Sequence, residues 1–341
     1  PSQFMAMSHG KINNTELVAA IVSTGRDIID GIRKVQEKVD GSVTMLILTE
    51  EGLYAARDKY GRTPLIIGES EEGFCAASES FAFINLGYEY KRELGPAEIA
   101  FITAEKEETV GEAQEGMRIC SFLWTYFGYP TSVYEGKNVE LVRNRNGELL
   151  AEMDGEMDVD YIAGVPDSGV PHAQGYGNKS HIRYARPLIK YTPTWQRSFM
   201  PSNQKAREHV AKMKLIPIFK LINKKKFVLI DDSIVRGTQL METVDYLHNN
   251  GAEEIHVRSA CPPLLFGCKF HNFSRSISDL DLITRRTICE LEGKPNEEIT
   301  REILDEYVDA STEKHAAMVE SIRKQMKFDS LKFQTLENTK K

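Results

Sequence analysis

Residues 227–240, F-V-L-I-D-D-S-I-V-R-G-T-Q-L, constrain the fold more than any other part of this chain. The apolar run Phe227, Val228, Leu229, Ile230 feeds two adjacent carboxylates, Asp231 and Asp232. A small-residue turn with Gly237 and Thr238 follows, and then helical spacing through Met241, Val244 and Leu247. Gly251 ends that pattern, and residues 254–257 read as a second strand. Strand, loop, helix, strand is the unit of a doubly wound α/β sheet, in which ligands sit at the carboxyl ends of the strands. Backbone N–H groups at such a turn and helix start can hold a phosphate. Paired carboxylates can hold ribose hydroxyls, a Mg²⁺-bound sugar, or both.

A second strand-loop-helix lies upstream. Residues 161–165 (Y-I-A-G-V) read as a strand that runs into Pro166, Asp167, Ser168 and Gly169, with a helix starting at Val170. Taken alone, Pro-Asp-Ser-Gly is a β-turn. Beside the Asp231 loop it reads as the other half of one site. Val139, Val142, Leu149, Leu150 and Met153 predict a helix before it, and residues 122–127 (F-L-W-T-Y-F) predict an aromatic, strand-like crossover. Earlier still, one helix is expected over 16–39, strands over 44–49 and 53–56 about a turn at 50–52, and a further pair at 64–68 and 73–77. In the tail, 296–327 predicts a packed amphipathic helix or helix pair.

At 341 residues, two domains are expected. No apolar run is long enough to span a bilayer, and the first residues show no secretory pattern. The net charge of −7 argues against nonspecific nucleic-acid binding, so an anionic substrate needs local cations or Mg²⁺. Five widely spaced cysteines fit reduced, cytoplasmic thiols better than a disulfide framework.

Asp231 to Thr238, spelled D-D-S-I-V-R-G-T, resemble the loop with which phosphoribosyltransferases bind phosphoribosyl pyrophosphate (PRPP), and in particular that of the amidophosphoribosyltransferases. Residues 54–65, 77–80 and 94–99 resemble the later half of an N-terminal-nucleophile glutamine amidotransferase domain. The resemblance runs from about Lys11 to Asn338. It implies an α/β fold: a type I phosphoribosyltransferase doubly wound parallel sheet over 113–341, preceded over 1–112 by part of an αββα glutamine amidotransferase domain. It implies that Asp231, Asp232, Ser233, Arg236, Gly237 and Thr238 bind PRPP, together with Asp167 and Ser168. Ser168, Asp231 and Asp232 would surround Mg²⁺. Residues 190–201 occupy the place of the family's closing loop, and from it Lys190 and Arg197 carry over as cations for the leaving pyrophosphate. Arg57–Asp58 and Ser78–Glu79 read as structural loop residues.

The implied reaction forms 5-phosphoribosylamine from PRPP and ammonia, which glutamine supplies in the complete family, as the first step of purine synthesis. In the family a first-residue cysteine attacks glutamine. This sequence starts Pro1-Ser2-Gln3, so it is expected either to be a piece of a longer protein, without the nucleophile segment or the C-terminal end, or to keep its glutaminase half as a remnant, and not to hydrolyse glutamine as written. Cys120 and Cys268 match two of the four ligand positions of the [4Fe–4S] cluster found in one branch of the family, so that cluster is expected only in a longer parent. A homo-oligomer is left open. The competing readings are a PRPP-binding regulator or inactive paralogue, and a nucleobase salvage phosphoribosyltransferase. Segments 57–58 and 77–80 argue against salvage, because such enzymes need no glutaminase domain.

Overall fold

The computed structural model describes residues 13–190, 215–268 and 278–341. These fall into two compact units, and the division lies near Val139, with residues 124–126 belonging to the second unit.

The first unit opens with two helices where one was expected, α1 (Asn14–Val22) and α2 (Ile28–Lys38). Two capping residues force the break. Asn13 and Glu16 form a reciprocal capping box at α1, and the Asp27 carboxylate accepts from the N–H of Asp30 to start α2 afresh. Gly25 lies so close to Gly31 that a Cβ on it would meet the Gly31 nitrogen at 2.4 Å, so the turn between the helices is tight.

Seven strands follow: β1 (Met45–Leu48), β2 (Leu53–Ala56), β3 (Ile66–Ser70), β4 (Gly73–Ala77), β5 (Glu89–Glu93), β6 (Ile99–Ile102) and β7 (Glu107–Gly111). They form two antiparallel sheets, ordered β1-β2-β6-β7 and β4-β3-β5. Alternation along β2 and β6 separates two cores. Ala55, Ala100 and Ile102 face Leu65, Ile67 and Leu94, between the sheets. Ala56 and Ile99 face Ile32 and Val35 of α2. On the far side of the second sheet, Gly68 lets Phe83 of the short helix α3 (Phe81–Leu86) come close. The layers are therefore helix, sheet, sheet and a vestigial helix.

Arg57 and Asp58 are structural here. The Arg57 guanidinium is fully buried and donates to the carbonyls of Thr63 (3.1 Å), Gly61 (2.8 Å) and Leu94, and it pairs with Glu135 at 2.8 Å. Asp58 accepts from the N–H groups of Tyr60, Arg62 and Thr63. Glu79 accepts from Ser132 and from Tyr134 at 2.6 Å, on the small hairpin of β8 (Val133–Tyr134) and β9 (Lys137–Asn138). The strand-like crossover expected at 122–127 is instead one π-helical turn, Leu123–Phe127, closed by the Gly128 N–H on the Leu123 carbonyl at 2.7 Å.

The second unit is a parallel sheet, β10 (Tyr161–Gly164), β13 (Lys226–Asp231), β14 (Glu254–Ser259) and β15 (Ser330–Phe333), in that order across the sheet. Between β10 and β13 in sequence, β11 (Leu188–Lys190) and β12 (Leu215–Pro217) form a separate antiparallel pair. Both faces of the parallel sheet are covered. Ile162, Val228 and Ile230 pack against Leu150 and Ala151 of α4 (Val139–Asp154) and against Ala173 and Tyr176 of α5 (Val170–Ser180). Tyr161, Ala163, Phe227 and Leu229 pack on the other face, against α6 (Thr238–Asn249), α7 (Ile283–Glu292), α8 (Arg301–Val308) and α9 (Glu313–Gln325). The expected tail helix pair is α8 and α9.

Two glycines set the approach of α4 to α5. A Cβ on Gly147 would lie 1.9 Å from the His172 carbonyl oxygen, and one on Gly175 would lie 1.9 Å from that of Asn144. A backbone oxygen cannot rotate out of the way. Gly175→Ala is therefore expected to destabilise the second unit by about 2 kcal/mol despite alanine's better helix propensity. Urea unfolding checks this, and an unchanged or raised midpoint would refute it.

Candidate active site

Two strand ends meet side by side. In the β10–β13 ladder Gly164 stands opposite Ile230, and the Val165 N–H continues the ladder onto the Ile230 carbonyl at 2.8 Å. The chain then folds back over the end of β13. A Cβ on Gly169 would sit 2.0 Å from the Ile230 oxygen, and one on Gly164 would sit 2.6 Å from the Gly169 backbone, so neither position has room for a side chain. The turn contains a cis Pro166–Asp167 peptide and delivers Ser168 to the β13 end, where its Oγ lies 3.5 Å from Asp231 Oδ1.

Asp231 and Asp232 differ in their surroundings. Asp232 is buried and accepts from Ser233 Oγ at 2.7 Å. Asp231 accepts from the Asp232 N–H at 3.0 Å. Burial, followed by the repulsion of the Asp232 carboxylate, holds the Asp231 pKa well above the ordinary carboxylate range. Beyond them Gly237 has φ +79°, a left-handed conformation suited to glycine, and its Hα face lies against Ile283 and Met326. Thr238 starts α6. Opposite, Lys190 at the end of β11 reaches the turn and pairs with Asp167 at 2.8 Å; both side chains are exposed.

The structure thus gathers Asp167, Ser168, Lys190, Asp231, Asp232 and Ser233 at adjoining strand ends, and Gly237 and Thr238 close the same loop. Arg236 differs: its guanidinium turns to Asp281, at 3.3 Å. Arg197, with most of the expected closing loop, lies outside the described residues. Cys120 is half-buried in the first unit and Cys268 exposed in the second, and no group of three His, Cys, Asp or Glu side chains placed to hold a metal exists among the described residues. The sequence reading missed residues 279–286, which back the Asp231 loop. Their contacts span 45 and 50 residues and leave no local pattern.

This chain is 36% identical over 262 residues to the amidophosphoribosyltransferase of Methanothermobacter thermautotrophicus, covering 75% of this chain and 55% of that protein. The chain belongs to the amidophosphoribosyltransferase family. It is 33% identical to the Archaeoglobus fulgidus member, covering 76% of this chain and 57% of the relative, so it spans little more than half the length of these relatives. Among solved structures, glutamine PRPP amidotransferase from B. subtilis, complexed with ADP and GMP, matches with a TM-score of 0.77 at 29% identity, covering 99% of this chain and 69% of that one. No family model matches the chain. The family fold agrees with the sequence expectation: a type I phosphoribosyltransferase sheet accompanied by amidotransferase layers.

The raised Asp231 pKa has a consequence for stability. The folded chain holds this proton more tightly than the unfolded chain does. Its contribution to stability is therefore full below the unfolded carboxylate pKa and is lost as pH rises through the folded one. Asp231→Asn, which cannot ionise, should unfold at higher urea than the parent at pH 8 in ligand-free buffer, with the gap closing towards pH 4. A gap of constant size or opposite sign would contradict this.

Proposed function

We propose that this chain carries the PRPP-using half of an amidophosphoribosyltransferase and forms 5-phosphoribosylamine from PRPP and ammonia. The observation that carries this reading is the pairing of two strand-end loops, with Ser168 3.5 Å from Asp231 and Lys190 salt-bridged to Asp167. In the division of labour proposed here, 113–341 bind PRPP and 1–112 are the amidotransferase portion. In the whole protein that portion would take glutamine.

The roles follow from charge. Ammonia attacks C1 of the ribose, the C1–O bond breaks with its electron pair leaving on pyrophosphate, and the surplus proton on nitrogen passes to solvent. Lys190 offsets the charge that develops on the leaving group, and Arg197 is proposed to do the same. Asp231 and Asp232 accept from ribose hydroxyls and orient the ring as it gains positive character. Asp167 and Ser168 face the pyrophosphate. Ser233, Arg236, Gly237 and Thr238 hold the 5′-phosphate through N–H groups and hydroxyls.

Ser168, Asp231 and Asp232 are hard oxygen donors, and Ser168 Oγ and Asp231 Oδ1 stand 3.5 Å apart. The described residues offer no all-protein metal cage. The set therefore fits magnesium shared with substrate phosphates and water. When bound, magnesium would neutralise charge on the pyrophosphate. No helix among the described residues is long and apolar enough to cross a membrane. Its five widely spaced cysteines suit the reducing cytoplasm.

The test is pyrophosphate release from PRPP and Mg²⁺, with ammonia, glutamine or a nucleobase as acceptor. Release with ammonia, lost by at least about a hundredfold when Asp231→Asn and Asp232→Asn are combined, is the expected result. Release with a nucleobase instead would make the chain a salvage enzyme. PRPP binding without release would make it a binding protein.

A further inference from the structure

The site is backed by a segment to which no role has yet been assigned, residues 279–286. Its Ile283 N–H donates to the Val235 carbonyl at 2.9 Å. The Arg286 guanidinium donates to the next carbonyl, that of Arg236, at 3.0 Å through Nη2. The same guanidinium is anchored through Nη1 to the carbonyls of Leu280 (2.9 Å) and Asp281 (3.1 Å). Two successive carbonyls of the loop are thus drawn towards one segment. The single cis peptide among the described residues is Pro166–Asp167, so both of these loop peptides are trans. In a planar trans peptide the N–H points opposite to the C=O. The N–H groups of Arg236 and Gly237 must therefore point away from residues 280–286. Neither of them, nor that of Thr238, has a hydrogen-bond partner among the described residues. Gly237 in the left-handed region follows at once, and such a run of N–H groups forms an anion-holding concavity.

We propose that Arg286 is a positioning residue for the 5′-phosphate. By holding the Arg236 carbonyl from behind, it sets the direction of the Gly237 N–H that a phosphate monoester would meet. This rests on the PRPP reading above. Arg286 touches no substrate. It acts through one peptide plane, helped by the Ile283 N–H on the plane before it. Among the described residues the Asp281 carboxylate pairs only with the exposed Arg236 side chain, at 3.3 Å, and has no part in holding the Arg236 carbonyl. A single ammonium cannot reach all three carbonyls that the guanidinium fork spans.

The experiment compares binding of ribose 5-phosphate and of inorganic pyrophosphate, each with Mg²⁺, by calorimetry on the full chain. Arg286→Ala and Arg286→Lys are measured beside the parent, with Asp281→Asn as the control that breaks the ion pair but leaves the carbonyl contact. Arg286→Ala should weaken ribose 5-phosphate roughly tenfold, the loss of one charge-assisted hydrogen bond. Pyrophosphate, held at the Ser168 turn, should change by less than about twofold. Arg286→Lys should fall between parent and alanine, and it serves alone if the alanine variant does not fold. Asp281→Asn should stay near the parent. Parallel loss of both ligands would show a merely structural role and overturn the proposal, as would equal ribose 5-phosphate binding by parent and variants. A parent that binds neither ligand would overturn the PRPP reading itself.

Discussion

The parallel register of β10 on β13 governs the rest of the site. With Gly164 opposite Ile230, the two strands end at the same level, and the chains leaving them must turn within one residue of each other. The close fit of Gly169 on the Ile230 carbonyl then fixes how the first chain turns. Ser168 reaches Asp231 for that reason, although 63 residues separate them in sequence. A slip of one residue would exchange Ile230 with Leu229 between the two cores and carry the carboxylates off the turn. The same hydrophobic alternation that makes the sheet stable thus aligns its chemistry.

Much of this was legible in the chain. The run 227–230 is apolar on both faces, as a central parallel strand must be, and the acids and Gly237 mark its end without ambiguity. The α4 periodicity and the Tyr161 strand were likewise plain. What stayed hidden was set by contacts or caps. Residues 16–39 keep helical spacing throughout, and only the capping of α2 by Asp27 reveals the break. The aromatic stretch 122–127 has strand-forming composition, but the Gly128 N–H closes it into a wide helical turn. The turning of Arg236 towards Asp281 could not be read from the loop motif, because its partner is 45 residues away.

Charged dipeptides illustrate the same limit from the other side. Arg57–Asp58 has the look of catalytic residues. In the fold the guanidinium satisfies three carbonyls, those of Gly61 and Thr63 in one loop and of Leu94 in another, and the carboxylate satisfies three N–H groups of the first loop. Each would otherwise be an unpaired polar group in the interior, which costs far more than the net gain of a hydrogen bond. Charge at such a position is a framework for irregular backbone. The acids at 231 and 232 are the opposite case, since among the described residues they face no cation that would neutralise them.

That difference gives the ligand-free site a chemical bias. A carboxyl whose pKa is held above the ordinary range is one for which the proton, the smallest cation available, competes. Any larger cation, or a substrate that brings one, must displace that proton where it is bound. Loading the site is then an exchange: the heat of binding would carry the ionisation enthalpy of whichever buffer takes up the proton, and occupancy would rise with alkalinity at constant ligand.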